Sequence, residues 1–295
     1  ATPEQQKQLQ EEFRLLLMRS YSGALAQIKD NSQIVVKPVR ANSNDNEVVV
    51  RSEIRGGPEP ILSNVLALHK DSAPEVEEWA RGHLVFEDAD GVTQQCYDIV
   101  DDLLIMPRGA WQVCPFTIDV EDRRSSIPAD MPEPKMSLRN YQQVPVSKML
   151  KKGQGVLRAP TGSGKTVCLL YLAAKLKQRT LILVHTKDLM QQWADRCEAM
   201  LGFTPGMIGG GIWEEHDLIT IGMVQTLMRY EQLPSDWVHS WGTVILDEAH
   251  RAPASSFTHV ISQMTAKYLF GATATPTRRD GNHPMMHFIL GPVIA

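Results

Sequence analysis

The sequence predicts an α/β protein in which a lobe with a mainly parallel sheet follows a smaller α+β domain. Three features of the 295 residues lead to this prediction. An apolar run before Arg158 breaks into a glycine-rich turn and then a helical pattern. A second apolar run ends in two adjacent carboxylates, Asp247 and Glu248. Between and beyond them, short apolar runs alternate with amphipathic segments, which is typical of a parallel sheet whose strand-to-helix loops share one edge.

The elements of the second half follow from this alternation. Strands are apolar runs of four to six residues, and helices have apolar positions at a spacing of three to four. The predicted strands end at Arg158 or span 180–184, 217–221, 242–246 and 267–270, and the predicted helices span 165–176, 188–200, 224–229 and 255–264.

The first half has a different pattern. A hydroxyl cap, a proline and an acid at Thr2 to Glu4 start a predicted helix that continues to Ile28. Runs rich in β-branched residues then predict a hairpin with strands at 33–39 and 47–54, and further strands at 83–86, 93–100 and 103–106. A short helix is predicted at 74–81. Dense charge and three prolines mark 118–137 as a linker. The predicted domains are therefore an α+β accessory domain at 1–117, the linker, and a lobe at 138–295.

Composition and charge narrow the class of protein. The chain has 43% hydrophobic and 22% charged residues, which is typical of a folded protein. Residues 1–135 carry 14 basic and 23 acidic side chains, a net charge of −9, whereas the remainder has a net charge of +5. If nucleic acid binds, the second half is the expected main contact.

Cysteine spacing and hydropathy exclude other classes. The four cysteines are scattered without a C-x-x-C pair, which argues against a zinc site or a disulfide framework. No apolar run is long enough to span a membrane, so we expect no membrane partner. We expect a cytoplasmic protein of a bacterial or phage-infected cell, or a nuclear one in a eukaryote.

The glycine-rich turn predicts a polyphosphate site. Glycines let consecutive backbone N–H groups turn inward, and the following helix adds its amino terminus. Lys165 supplies a charge for the β- and γ-phosphates, and the Thr166 hydroxyl is a ligand for Mg²⁺. The strict pattern begins with glycine, whereas Ala159 occupies that position here. The predicted phosphate-binding residues are Thr161, Gly162, Ser163, Gly164, Lys165 and Thr166.

The carboxylate pair predicts the other half of this chemistry. Asp247 and Glu248 follow the apolar strand Val244-Ile245-Leu246. A Mg²⁺ ligand is needed at the end of such a strand, and Asp247 fits that role. Glu248 is then placed to orient or deprotonate the attacking water. Alone, the pair would more often be a solvated start of a helix.

These motifs, taken in order, resemble superfamily 2 helicases and translocases over residues 136–295. Leu138 to Gln142 resembles the adenine-recognition motif, which implies that Arg139 and Gln142 bind the nucleotide, with Gln142 reading the base. The other matching segments are 159–166, 184–186, 219–227, 247–250 and 271–276. The resemblance implies a RecA-like lobe that uses ATP and Mg²⁺.

Further residues resemble the DNA-directed group of the superfamily that contains XPB, RecG and the phage UvsW-type branch-migration enzymes. They are Gln192-Trp193, the segment Thr273 to Arg278, and Arg279-Asp280-Gly281. Leu103 to Gly109 is similar to a Pro-Arg-Gly segment that precedes the core in XPB- and UvsW-like proteins. A plain turn at a strand end explains Pro-Arg-Gly equally well.

The resemblance also implies roles that the residues alone do not reveal. One set would line the path of a nucleic-acid backbone, namely His185, Thr186, Gly222, Met223 and Gln225. Another set, His250, Thr273 and Thr275, would couple the ATP state to that path. Without the family, threonines before a proline are commonly turn caps, and a histidine beside acids is often their hydrogen-bond partner.

The expected function is ATP-dependent helicase or translocase activity on branched or double-stranded DNA. The alternatives are an RNA helicase and a non-catalytic nucleotide-binding module that binds DNA. Family members hydrolyse ATP between two lobes, so the resemblance implies a second RecA-like lobe beyond Ala295. The accessory domain would make at most a narrow DNA contact, through Lys37, Arg40, Arg51 or Arg55, although these residues equally suit a solvated face.

Overall fold

The computed structural model describes residues 33–36, 52–55, 65–69, 74–91, 93–100, 103–110, 115, 122, 124–251, 255–274 and 283–294. The chain divides into two compact units, Ala1–Pro60 and Ile61–Ala295. The predicted division into a domain at 1–117, a linker at 118–137 and a lobe at 138–295 stays a prediction. Within the described part, no helix combines the length and apolar character needed to cross a bilayer.

The first unit contains a two-stranded antiparallel sheet. Its strands are β1 (Gln33–Val36) and β2 (Ser52–Arg55), with Gln33 opposite Arg55. The predicted hairpin is therefore confirmed, with shorter strands. The predicted helix up to Ile28, the residues Lys37, Arg40 and Arg51, and the side chain of Arg55 lie outside the described residues.

The second unit begins with a small α+β region. Its elements are β3 (Val65–His69), α1 (Pro74–His83), β4 (Val85–Glu87), β5 (Thr93–Gln95), β6 (Asp98–Val100) and β7 (Leu103–Pro107). The three strands β3, β7 and β6 form an antiparallel sheet in that order, and β4 pairs with β5. The prediction of one strand over 93–100 is wrong, because the chain leaves the ladder at Cys96 and Tyr97.

The larger part of this unit is an α/β lobe. Its helices are α2 (Asn140–Lys152), α3 (Lys165–Leu176), α4 (Lys187–Leu201), α5 (Val224–Leu227), α6 (Ser235–His239), α7 (Ser255–Ser262) and α8 (His283–Leu290). Its strands are β8 (Gln154–Arg158), β9 (Thr180–Val184), β10 (Gly206–Gly209), β11 (Ile212–Glu214), β12 (Ile219–Met223), β13 (Thr243–Asp247) and β14 (Tyr268–Thr273).

The seven strands of the lobe form one sheet in the order β11-β10-β12-β9-β13-β14-β8. Every neighbouring pair is parallel except β10 and β11. Alternate residues of a strand face opposite sides of the sheet. Accordingly Leu181 and Leu183 join one apolar cluster, and Ile182 and Val184 join another. Both faces are covered, as expected for a parallel sheet, and the predicted fold class is confirmed.

Several elements were not predicted from the sequence. Helix α2 contains Pro145, a helix breaker, and its apolar spacing is weak. The β10–β11 hairpin turns on three consecutive glycines, 209–211, which suggest a loop rather than a strand pair. Helix α6 has only five residues. Helix α2 buries Val146 and Met149, and helix α6 buries Trp237 and Val238, so packing stabilises these helices rather than local pattern.

The described part of the predicted linker lies along the lobe. Backbone N–H groups of Ser125 and Lys135 donate to carbonyl oxygens of Thr265 and Met200, each at 2.8 Å. Arg179 N–H likewise donates to Ile127 O at 2.8 Å. This segment is thus bound along its length to the lobe. Among the described cysteines, Cys96, Cys168 and Cys197 are buried free thiols.

Candidate active site

The glycine-rich loop lies between the end of β8 and the start of α3. Gly162 and Gly164 adopt φ values of 82° and 84°, a left-handed backbone that suits glycine. A Cβ at position 164 would lie 2.5 Å from Nε2 of Gln142. Glycine is therefore required at 164 both for its backbone angle and for space. Helix α3 begins at Lys165, as predicted.

Lys165 folds back over this loop. Its Nζ donates to Ala159 O at 3.2 Å and to Pro160 O at 3.5 Å. Ser163 Oγ also donates to Pro160 O, at 2.6 Å. The ammonium group is thus held inside the curl of the loop, where a phosphate bound by the amides of α3 would meet it.

Gln142 and its neighbours form hydrogen bonds with the glycine-rich loop. The Gln142 side chain is buried, its Oε1 accepts from Arg139 N at 3.0 Å, and its Nε2 donates to Ser163 O at 2.8 Å. Both ends of the amide therefore bind protein atoms. The role of Gln142 in reading a base stays a prediction, as does nucleotide binding by Arg139.

Tyr141 also contacts the loop, and sequence reasoning assigned it no role. Its hydroxyl donates to Ser163 O at 3.1 Å and accepts from Nη1 of Arg139 at 3.2 Å. Its side chain remains 55% exposed beside the loop. The aromatic face is therefore exposed beside the predicted phosphate site, and the signal in the sequence is its place within the segment 138–142.

The carboxylate pair lies at the same edge of the sheet. Asp247 ends β13, and the backbone register aligns it with Ala272 of β14 and, through Ala272, with Leu157 of β8. Two strand spacings separate Asp247 from Leu157, or about 10 Å. Asp247 is only 7% exposed. Its Oδ1 accepts from Glu248 N at 2.9 Å, and its Oδ2 accepts from Nε1 of Trp193 at 2.8 Å.

The donor set at this edge fits Mg²⁺. No group of three or more histidine, cysteine or acidic side chains in the described ranges could form a metal cage. Mg²⁺ in phosphate sites takes one or two protein oxygens and completes its shell with phosphate and water. One carboxylate, Asp247, and one hydroxyl, Thr166, match that pattern.

Glu248 is connected to the loop through two further residues. The Nδ1 atom of His250 lies 3.2 Å from Glu248 Oε2 and 3.0 Å from Thr273 Oγ1. The backbone oxygen of Thr273 accepts from Ala159 N at 3.0 Å. A continuous series of contacts thus runs from the carboxylate to the glycine-rich loop. Thr275, the other predicted coupling residue, lies outside the described residues.

Glu248 also has an unusual backbone. Its φ of 54° falls in the left-handed region, which non-glycine residues rarely adopt. Such a conformation costs on the order of 1–3 kcal/mol and is found most often at functional sites. It turns the chain directly after Asp247, the last residue of β13.

The residues predicted to line a nucleic-acid path lie at the ends of β9 and β12. Thr186 caps α4, where its Oγ1 accepts from Leu189 N at 3.2 Å. Gln225 is exposed, and its Nε2 donates to His185 O at 2.8 Å. The structure therefore brings His185, Thr186 and Gln225 together. Their contact with nucleic acid stays a prediction.

Gly222 and Met223 have different surroundings from those three residues. Gly222 is buried, and a Cβ there would lie 3.4 Å from side-chain atoms of both Leu181 and Leu227. Met223 is half-buried against Gly209. Gly222 thus packs within the core, whereas Met223 borders the glycine loop of the β10–β11 hairpin.

His185 faces the charged part of the site. Burial, and secondly the positive charge of Arg251, lower the pKa of His185. Its ring is therefore neutral at pH 7. Its Nδ1 is buried and has no hydrogen-bond partner within the described part of the chain.

Lys187 is an exposed cation that sequence reasoning did not select. A Cβ at Gly210 would lie 2.9 Å from Cε of Lys187. The lysine thus covers the glycine turn between β10 and β11, next to the group formed by His185, Thr186 and Gln225. The three consecutive glycines at 209–211 are the sequence signal for the turn that Lys187 covers.

Comparison with known families places the lobe. Residues 135–278 match the family described as "Type III restriction enzyme, res subunit". Residues 1–65 match a second family, described as "MlaC protein". The second match includes none of the predicted nucleotide-binding residues.

Two curated relatives match the same part of the chain. The DNA 3'-5' translocase XPB2 of Sulfurisphaera tokodaii is 34% identical over 178 residues, which are 60% of this chain and 40% of the relative. The putative ATP-dependent RNA helicase L396 of Acanthamoeba polyphaga mimivirus is 32% identical over 163 residues, covering 54% of this chain and 31% of the relative. The chain thus spans less than half the length of these relatives.

A solved structure supports the same fold. The UvsW helicase from bacteriophage T4 aligns with a TM-score of 0.57 at 18% identity, covering 83% of this chain and 95% of that one. The aligned share is larger than the 135–278 segment. Residues 135–278 are thus similar in sequence to helicase and translocase relatives, and the chain shares its fold with the UvsW helicase.

Proposed function

We propose that this chain carries the first nucleotide-binding lobe of an ATP-dependent helicase or translocase that acts on branched or duplex DNA. The observation that supports the proposal best is the series of contacts from Glu248 through His250 and Thr273 to the backbone of the phosphate loop. It joins the predicted hydrolytic carboxylate to the predicted phosphate site across three strands.

In this proposal, each side chain has a separate task. Lys165 neutralises the β- and γ-phosphates, and Thr166 and Asp247 would hold Mg²⁺. The ion would supply positive charge that offsets the charge on the phosphate oxygens. Glu248 accepts a proton from the attacking water. The water oxygen forms a bond to the γ-phosphorus, and the bond between the γ-phosphorus and the bridging oxygen breaks.

Loss of the γ-phosphate would be sensed by the same contacts. His250 contacts both Glu248 and Thr273, so a movement of Glu248 alters the hydrogen bonding of Thr273. The ends of β9 and β12, with His185, Thr186 and Gln225, would bind the DNA backbone. Arginines of a second lobe would complete the site, so we expect the chain alone to bind ATP weakly and hydrolyse it slowly.

Two features favour DNA as the substrate. Residues 136–295 carry a net charge of +5, which suits a polyanion. The XPB2 relative is described as a DNA translocase, and the residues following β9 and β14 resemble the DNA-directed group. Branched DNA as the preferred form rests on the resemblance to UvsW-type enzymes.

The first test measures equilibrium binding of ATP to the chain, and hydrolysis in the full-length enzyme. Lys165→Ala should weaken nucleotide binding by about tenfold or more, because a charge-assisted contact is lost. Glu248→Gln should bind ATP normally and lose DNA-stimulated hydrolysis by about a hundredfold or more. Lys175→Ala is the matched control, since Lys175 lies on the same helix but pairs with Glu133 on the surface. Unchanged hydrolysis in Glu248→Gln would contradict the proposal.

An RNA helicase is the second candidate, because the mimivirus relative is described as a putative RNA helicase. Stimulation of ATP hydrolysis by forked DNA and by structured RNA of equal charge separates the two. The proposal expects the forked DNA to stimulate more. Stronger stimulation by RNA would favour the second candidate.

A further inference from the structure

Trp193 is the neighbour of Asp247 to which none of the roles above applies. It lies in α4, 54 positions before Asp247 in the chain, and it is 2% exposed. Its Nε1 donates to Asp247 Oδ2 at 2.8 Å. A tryptophan in such a position commonly just fills the core, and Trp193 does belong to the apolar cluster on its side of the sheet.

The hydrogen bond suggests more than packing. An indole N–H can only donate, and the carboxylate oxygen it meets is charged, so the bond is of the stronger, charge-assisted kind. The other oxygen of Asp247 accepts from Glu248 N at 2.9 Å. One donor on each oxygen fixes the plane of the carboxylate and leaves a lone pair on each oxygen for another ligand.

The position of α4 makes this contact possible. Thr186 caps the helix directly after β9, and β9 pairs with β13 in parallel, with Leu183 opposite Leu246. A residue two turns into α4 therefore returns over the carboxyl end of β13. The contact joins the helix that follows the predicted DNA-binding segment to the predicted metal ligand.

We propose that Trp193 is a positioning residue that orients the Asp247 carboxylate for Mg²⁺. Removal of its N–H leaves the ligand in place but free to rotate, so that Mg²⁺ binding with nucleotide weakens. This inference rests on the proposed function, because it requires Asp247 to hold Mg²⁺. Mutation of a residue that hydrogen-bonds a metal ligand typically lowers metal affinity by about 10- to 100-fold.

The test compares two tryptophan substitutions by equilibrium binding of a non-hydrolysable ATP analogue to the 295-residue chain while Mg²⁺ is titrated. Trp193→Phe should raise the Mg²⁺ concentration for half-maximal binding about tenfold. Trp241→Phe is the matched control, because Trp241 is fully buried and its Nε1 has no hydrogen-bond partner among the described residues. It should leave the Mg²⁺ requirement unchanged.

The outcomes separate the inference from the proposed function. If the wild-type chain needs Mg²⁺ for binding and Trp193→Phe needs no more, the inference is wrong and the proposed function stands. An equal shift in both variants also overturns the inference, because it reports a general loss of packing. If nucleotide binding by the wild-type chain does not depend on Mg²⁺, both the inference and the proposed function are wrong.

An independent measurement covers the case in which Trp193→Phe is unstable. In the chain labelled with ¹⁵N-tryptophan, six indole N–H signals are expected, and the one absent from Trp193→Phe belongs to Trp193. Asp247→Ala should move that signal and expose it to solvent exchange, with the other five unchanged. A Trp193 signal that ignores Asp247→Ala contradicts the inference.

Discussion

Gly162 and Gly164 share a left-handed backbone but differ in their surroundings. A Cβ at Gly162 would meet no atom within 4 Å, whereas one at Gly164 would collide with the Gln142 amide. That amide binds Ser163 O from below. At the residue scale, Gly162 is required only for its backbone conformation, whereas Gly164 also leaves space for the Gln142 side chain.

This difference predicts unequal effects of the same substitution. Both Gly162→Ala and Gly164→Ala should cost about 1–2 kcal/mol for the left-handed conformation. Gly164→Ala should cost more and should weaken ATP binding further, because Gln142 must leave Ser163. Urea unfolding and equilibrium ATP binding of the two variants measure this. Equal effects on both quantities would show that Gln142 does not support the loop.

The loop that follows β7 carries a buried arginine that joins two regions of the second unit. Arg108 donates to Gln154 Oε1 at 2.9 Å and to the backbone oxygens of Ala266 and Lys267 at 2.7 Å each. Burial, and secondly the charge of Arg124, lower the pKa of Arg108 to about 9, so that it remains charged at pH 7. These contacts lie at the start of β8 and β14, at the opposite edge of the sheet from the glycine-rich loop.

Gly109 completes this connection, because a Cβ there would collide with the backbone of residues 287–291 at the end of α8. At the scale of elements, the Pro-Arg-Gly segment is thus an anchor between the small β-sheet and the lobe. The sequence alone left a plain turn equally acceptable.

Arg108→Met should therefore lower the free energy of unfolding by about 2–4 kcal/mol, because three acceptors, two of them buried, lose a charged donor. Arg81→Met is the matched control. Arg81 lies on α1, its side chain is 57% exposed, and it pairs with Glu77 on the surface, so its loss should change stability by less than about 1 kcal/mol. Urea unfolding at pH 7 compares them, and similar losses in both variants would exclude the anchor.

At the scale of the whole molecule, the described apolar clusters all lie within residues 61–295. The smallest of them combines residues of the α+β region with Met285 and Phe288 of α8. The compact unit therefore begins well before the linker that the sequence predicted at 118–137.

Two truncations test where the stable unit begins. Residues 61–295 should melt within a few degrees of the full chain and bind ATP equally well. Residues 138–295 should melt at a clearly lower temperature, because they lack Arg108 and expose Phe288. Thermal unfolding, with ATP binding as the check of folding, measures both. Equal stability of the two truncations would instead support a domain boundary near residue 135.

The sequence by itself determined most of the lobe and predicted the residues of the candidate site. Lys165, Thr166, Asp247 and Glu248 were predicted because phosphate and metal sites need particular residue types at the ends of strands, and this need is visible as a local pattern. Helix α3 and strand β9 have the predicted bounds. Apolar residues at helical spacing mark a buried helix, and a short apolar run marks a buried strand.

Only the tertiary structure decided which distant residues contact the candidate site and hold the lobe together. The bond between Trp193 and Asp247, the anchor at Arg108 and the amide of Gln142 beneath Gly164 each join segments that lie far apart in the chain. Their donors and acceptors meet because β-strands are ordered by pairing in the sheet and not by position in the sequence. A side chain's partner is therefore set by strand order and helix packing, which no local pattern encodes.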